Sequence, residues 1–111
     1  MNTIREIKNY NDYMSFRKMD EEVLHIIKLG AEWCGPCKQM STIISNLDID
    51  KIGNTLFAEV DIEEENTEDI VNELNIRSIP VTLFIKNNTI IDKKIGSLTA
   101  DNIYNLIEKC K

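Results

Sequence analysis

Residues 31–40 read AEWCGPCKQM, with two cysteines two residues apart around a Gly-Pro pair. Upstream, VLHIIKL (23–29) is a nearly continuous apolar run, the pattern of a strand covered on both faces. Downstream, the apolar positions become Cys37, Met40, Ile43, Ile44 and Leu47, a helical stripe. Cys34 therefore falls at a strand-to-helix junction. First-turn N–H groups there lack intrahelical partners, and the positive end of the helix dipole favours an anion. A thiolate is stabilised at such a position, and the thiolate is the nucleophile. Cys37, one turn later, faces the same side, so a disulfide ring closes with little backbone movement. Pro36 is tolerated because first-turn N–H groups are unpaired anyway, and it stiffens the loop.

Three readings of the pair compete. Zinc requires about four ligands, yet there is no second Cys-x-x-Cys, His25 lies on a strand, and Cys110 closes a distant helix. No metal is expected. A permanent structural disulfide across so small a loop constrains the unfolded chain little. A dithiol that opens and closes repeatedly fits best.

The remaining sequence alternates between the two periods. TIREI is a short strand candidate, and NDYMSFRKM sets Tyr10, Tyr13, Met14 and Arg17 at helical spacing. TLFAEV (55–60) reads as a buried strand, and NTEDIVNELN as a helix with Ile70, Val71 and Leu74 inward. VTLFI and TIIDKKI flank Asn87-Asn88, which tolerate the left-handed conformations of a two-residue hairpin turn. Thr99 reads as an N-cap before Ile103, Leu106, Ile107 and Cys110, a final amphipathic helix. The expected order is β-α-β-α-β-α-β-β-α. This is an α/β fold with a central mixed sheet of about five strands, flanked by about four helices, in one domain over residues 1–111.

The 111 residues carry 19 acidic and 13 basic side chains, a net charge of −6 that supplies no basic stripe for nucleic acid. Six of the carboxylates fall in DIEEENTED (61–69), at a strand exit and a helix start, where they complement the helix dipole and face solvent. Calcium spacing and the required glycine are missing from that run. No run approaches membrane-spanning length, and MNTIREIKNY lacks the apolar region of a signal peptide. Three cysteines are too few for a disulfide scaffold. A reducing cytoplasmic setting is expected, where a close cysteine pair more often means redox chemistry or metal than structure.

AEWCGPCK, IRSIPVTLFIKNN and KKIGSLT agree in order and spacing with the thioredoxin family, which the chain resembles along essentially its whole length; a Cys-x-x-Cys beside a βαβ pattern is a known signature of that family. The resemblance implies a thioredoxin fold and a protein dithiol–disulfide oxidoreductase without a cofactor, acting in cell redox homeostasis. It implies that Cys34 attacks a target disulfide and that Cys37 resolves the mixed disulfide. A cis Ile79–Pro80 peptide facing the dithiol is implied as well; the sequence alone says only that Pro80 starts a strand, where its missing N–H is tolerable. Trp33, Gly35, Pro36, Ile79, Pro80, Ile95 and Gly96 match the family's flat apolar client-docking surface. For Trp33 core packing competes with docking, and for Gly96 a simple bend does. The implied partners are a thioredoxin reductase and disulfide-containing client proteins, and a monomer is expected.

Three positions depart from the family pattern. Lys28 stands where the family usually has a buried Asp, and Glu59 where it has a Lys nearby. The pair looks exchanged, which preserves attraction and neutrality. Lys28 and Glu59 are candidates for proton transfer or for tuning the thiols. A lysine that snorkels to solvent and a purely structural ion pair are the competing readings. Gly30 replaces a Trp common in the family, and a shallow space or altered client fit is expected there. Asn88 replaces a turn glycine, which the hairpin argument accommodates. Cys110 lies on a helical stripe, so packing competes with a regulatory thiol, and His25 is expected to be a satisfied or edge-facing residue rather than a ligand.

Gly-Pro between the cysteines resembles the reductant members of the superfamily, so the expected activity is mainly disulfide reduction. Two other readings stay open from sequence: a thiol oxidant or isomerase, and a non-catalytic binding or assembly subunit using the same docking face.

Overall fold

The alternation of periods becomes alternation of elements in a computed structural model, which describes residues 1–111. In chain order these are β1 (Ile4–Ile7), α1 (Tyr10–Lys18), β2 (His25–Gly30), α2 (Gly35–Ser45), α3 (Ile49–Ile52), β3 (Leu56–Asp61), α4 (Glu68–Leu74), β4 (Val81–Lys86), β5 (Thr89–Ile95) and α5 (Ala100–Lys109). The helix number exceeds the expectation by one. The extra element, α3, is a single turn capped by the Asp48 carboxylate, which accepts from the Asp50 N–H at 2.9 Å. It buries only Ile52 and is too short to write a periodic stripe.

The five strands form one sheet in the order β1-β3-β2-β4-β5. The first three run parallel to one another, and β4 and β5 are antiparallel. The central position of β2 explains its nearly continuous apolar run, since helices cover both of its faces. His25 is therefore buried on a central strand rather than at an edge. Its ring meets Phe16 edge-on at 5.1 Å, and its nitrogens face the carbonyls of Val23, at 3.0 Å, and of Met19.

Successive side chains on a strand point to opposite faces, and the core divides accordingly. On one face Ile27, Leu29, Ala58, Val60, Val81, Leu83 and Ile85 pack with Tyr13 and Phe16 of α1 and Ile70 and Leu74 of α4. On the other, Ile26, Phe57 and Phe84 pack with Ile44 of α2, Ile52 of α3 and Ile103 and Ile107 of α5. Each such fully buried aliphatic or aromatic side chain contributes about 1.5–3 kcal/mol. This second face also carries a polar row. The register places Glu6 beside Glu59, Glu59 beside Lys28, Lys28 beside Thr82 and Thr82 beside Lys94.

Turns and caps follow the local chemistry. Asn87 and Asn88 take φ of 52° and 59°, the pair of left-handed residues that a tight hairpin turn demands. Thr99 caps α5 in a reciprocal box with Asn102, with 3.1 Å for both hydrogen bonds. The acidic run leaves β3 at Asp61, exposes Glu63, Glu64 and Glu65, and places Glu68 and Asp69 in the first turn of α4.

Candidate active site

Strand β2 ends at Gly30, and four residues later Cys34 caps α2. The Cys34 backbone is extended, with φ −86° and ψ 105°, so its side chain turns back over the helix start. Its sulfur accepts the Cys37 N–H at 3.2 Å, an interaction that favours negative charge on Cys34. Cys34 and Cys37 are joined as a disulfide, with 5.3 Å between their Cα atoms. Gly35 and Pro36 occupy the exposed first turn, where the missing proline N–H has no intrahelical role.

Around the disulfide the surface is apolar. Trp33 is 70% exposed, and its indole N–H donates to Glu63 at 3.2 Å, so it is not a core residue. Trp33, Cys34, Gly35, Pro36 and Ile79 line a shallow groove together with Ile62, Ile76, Arg77 and Ser78. The last four were not legible as site residues, because they come from the β3 exit and the segment after α4. Ile79 also packs against the small cluster of Ala31, Cys34 and Cys37. The Ile79–Pro80 peptide is cis. Pro80 is itself buried just before β4, and its carbonyl accepts the Gly96 N–H at 2.8 Å. Through that bond β5 brings Ile95, 68% exposed, and Gly96, with φ of 99°, to the same end of the sheet but outside the groove lining.

Gly30 differs from the expected shallow space. A Cβ at this position would lie 2.8 Å from the Cys37 sulfur and 2.9 Å from its Cβ, so Gly30 permits a close approach of β2 to α2. The same point is 3.8 Å from the Lys28 Cε.

Lys28 lies beneath the disulfide and is only 6% exposed, which rules out a snorkelling side chain. Its ammonium meets the Glu59 carboxylate at 3.2 Å, donates to the Cys37 carbonyl at 3.0 Å, and donates to the Ser41 hydroxyl. Ser41 in turn donates to the same Glu59 oxygen at 3.0 Å. Glu59 keeps 34% of its side chain exposed and, with Lys28 and Ser41, lines a polar cleft of about 320 Å³. Thr82, beside Lys28 in the register, has a buried hydroxyl without a partner. Cys110 caps the far end of α5, half-buried against the second core face, and burial, with Asp92 nearby, pushes its thiol up from 9.0.

The thioredoxin family model matches residues 5–109. The chain is 30% identical over 91 residues to thioredoxin of Chlorobaculum thiosulfatiphilum, covering 82% of each. It is 28% identical over 93 residues to mitochondrial thioredoxin of Mus musculus, covering 84% of this chain and 55% of that one. The solved structure of Plasmodium falciparum thioredoxin superposes with a TM-score of 0.82 at 26% identity, over 97% of this chain and 100% of that one.

Proposed function

This chain belongs to the thioredoxin family and is a protein-disulfide reductase with a redox-active cysteine pair, and we propose that Cys34 is its attacking thiol and Cys37 its resolving thiol. The observation that carries the assignment is the bond from the Cys37 N–H to the Cys34 sulfur at the start of α2. That donor, with the positive end of the helix, stabilises a Cys34 thiolate once the disulfide is opened. Cys34 attacks one sulfur of a client disulfide, and the electron pair leaves on the other client sulfur, which takes a proton. Cys37 then attacks Cys34, the Cys34–client bond breaks, and the client departs as a dithiol. The Cys34–Cys37 disulfide that remains is re-reduced with two electrons from outside.

Members of this family generally work with a thioredoxin reductase and disulfide clients; we propose that same pairing here. The groove beside Trp33 and Ile79 accepts an extended client segment against apolar side chains. Gly35 and Pro36 line it as well, and Pro80, Ile95 and Gly96 border its approach. Lys28 and Glu59 act as one unit, a fixed positive charge beside Cys37 with a carboxylate that reaches the cleft. A monomer in the reducing cytoplasm is the setting we propose, supported by a thiol pair suited to cycling and by a net charge of −6, whose mutual repulsion keeps copies apart.

Insulin reduction in the presence of a thioredoxin reductase tests the function. Wild type should turn over, and Cys34→Ser should fall to background. Cys37→Ser should accumulate a covalent client adduct that dithiothreitol releases, because attack proceeds while resolution does not. No adduct from a reactive Cys34 would overturn the assignment of the two thiols.

A further inference from the structure

Lys28 is a buried cation whose three N–H bonds all have acceptors: the Cys37 carbonyl, the Ser41 hydroxyl and the Glu59 carboxylate. An ammonium has three donors and no acceptor, so this arrangement uses its full capacity. Such a group has no lone pair to take a proton from Cys37. Its contribution is its charge, and that depends on where the charge is held. A lysine stem has four rotatable bonds, and without lateral contacts the ammonium would follow Glu59 toward the cleft.

Two lateral contacts come from α2, the Cys37 carbonyl and the Ser41 hydroxyl, and Ser41 is the one that also ties in Glu59. It stands one turn beyond Cys37 on α2, so both side chains share a face. Its oxygen accepts from Lys28, and its one proton goes to Glu59 at 3.0 Å in preference to the Cys37 carbonyl at 3.3 Å, since a charged acceptor makes the stronger bond. The hydroxyl thereby bridges cation and carboxylate on the side nearest α2. The Cys37 sulfur and the Lys28 Cε both lie within 4 Å of one point above Gly30, at 2.8 and 3.8 Å, so the lysine stem and the resolving sulfur share one small region.

We infer that Ser41 is a positioning residue: by bridging Lys28 and Glu59 it holds the Lys28 ammonium close to Cys37, where its charge stabilises the thiolate that resolves the mixed disulfide. This rests on Cys37 being the resolving thiol. In the step concerned, Cys37 gives its proton to solvent and its sulfur attacks Cys34. The Cys34–client bond breaks, and the client sulfur leaves with the electron pair and then takes a proton. Ser41 touches no reacting atom and acts through Lys28.

Reaction of the reduced protein with 5,5′-dithiobis(2-nitrobenzoate) separates the two steps in one trace. Attack by Cys34 releases the first thionitrobenzoate, and resolution by Cys37 releases the second. Stopped-flow traces are recorded from pH 5 to 9, at reagent concentrations that keep the first phase fast. Ser41→Ala should slow the second phase about three- to tenfold at neutral pH and move its pH midpoint upward, as expected for about half to one unit of lost thiolate stabilisation. The first phase should be unchanged. Ser41→Thr, which restores a hydroxyl, should stay within about twofold of wild type. Lys28→Met should slow the second phase at least as much as Ser41→Ala, with the same upward move of its midpoint, and adding Ser41→Ala to it should change nothing more. Alanine is a good helix former, so Ser41→Ala should remain folded, and urea unfolding verifies this. An unshifted second phase in Ser41→Ala, a Thr variant that behaves like Ala, or additive effects of the Lys28 and Ser41 changes would each overturn the inference. Loss of the first phase in wild type would instead defeat the reductase assignment and leave this one without its premise.

Discussion

Lys28 and Glu59 sit opposite each other on neighbouring parallel strands, with 3.2 Å between ammonium and carboxylate, and the two are unequally buried. Lys28 is enclosed, whereas a third of the Glu59 side chain meets the cleft. The inequality decides which deletion hurts more.

Glu59→Gln leaves a buried cation with only neutral acceptors and should cost on the order of 2–4 kcal/mol, somewhat below the range for breaking a fully enclosed pair. Lys28→Met leaves a carboxylate that water can reach and adds apolar volume, so about 1 kcal/mol is expected. The double variant should recover most of the Glu59→Gln loss. A double-mutant cycle in urea reads the coupling directly; additive single effects would show that the two charges do not interact.

Thiol reactivity should rank in the order Cys34, then Cys37 and Cys110. Only Cys34 has a helix N-terminal N–H directed at its sulfur, and only a thiolate alkylates. Brief iodoacetamide treatment of reduced protein at pH 7, followed by peptide mapping, should place about nine-tenths of the label on Cys34, in keeping with the large thiolate differences such sites produce. Predominant Cys37 label would reverse the order of the two steps.

Gly30→Ala should destabilise the oxidised protein. The new methyl would meet the Cys37 sulfur and Cβ below 3.0 Å; Cβ is fixed by the backbone, and the disulfide also prevents the sulfur from rotating away. Overpacking of this kind costs about 1–3 kcal/mol. Opening the disulfide frees Cys37 to turn, so the loss should shrink in reduced protein. Urea midpoints in both redox states check this, and equal losses would place the strain at the Cys37 Cβ rather than at its sulfur.

Cys110 should make folding weaken at alkaline pH. Desolvation holds its folded thiol above 9.0, with Asp92 adding to the effect, so between the unfolded and folded values the native state keeps a proton that the unfolded chain has lost. The contribution is therefore fully present below about pH 9 and lost as pH rises through the folded value. Tyr10 and Tyr13 are also raised, Tyr10 chiefly by its bond to Glu73 and Tyr13 chiefly by burial, so the comparison must isolate the thiol. Between pH 8 and pH 10 the wild type should lose slightly more stability than Cys110→Ala. An equal loss in both would remove Cys110 from the alkaline response.

The sequence by itself determined the order of elements and the reactive pair, because both are written in local chemistry. Periods of two and near 3.6 follow from backbone geometry, Asn87-Asn88 and Thr99 act on their immediate neighbours, and Cys34 and Cys37 lie within one helical turn. The single-turn α3 escaped because four residues are too few to show a period. Lys28 and Glu59 stood out as charges in apolar strands, but their contact required β3 to pair with β2 in one particular register. Ser41 carried only the signal of standing four residues beyond Cys37, one polar residue among several on α2. What it bridges, why Gly30 must lack a side chain, and which residues complete the groove beside Trp33 were decided by tertiary structure alone. A hydrogen bond or a close approach between residues distant in sequence depends on how helix and sheet settle against each other, and no local pattern encodes that distance.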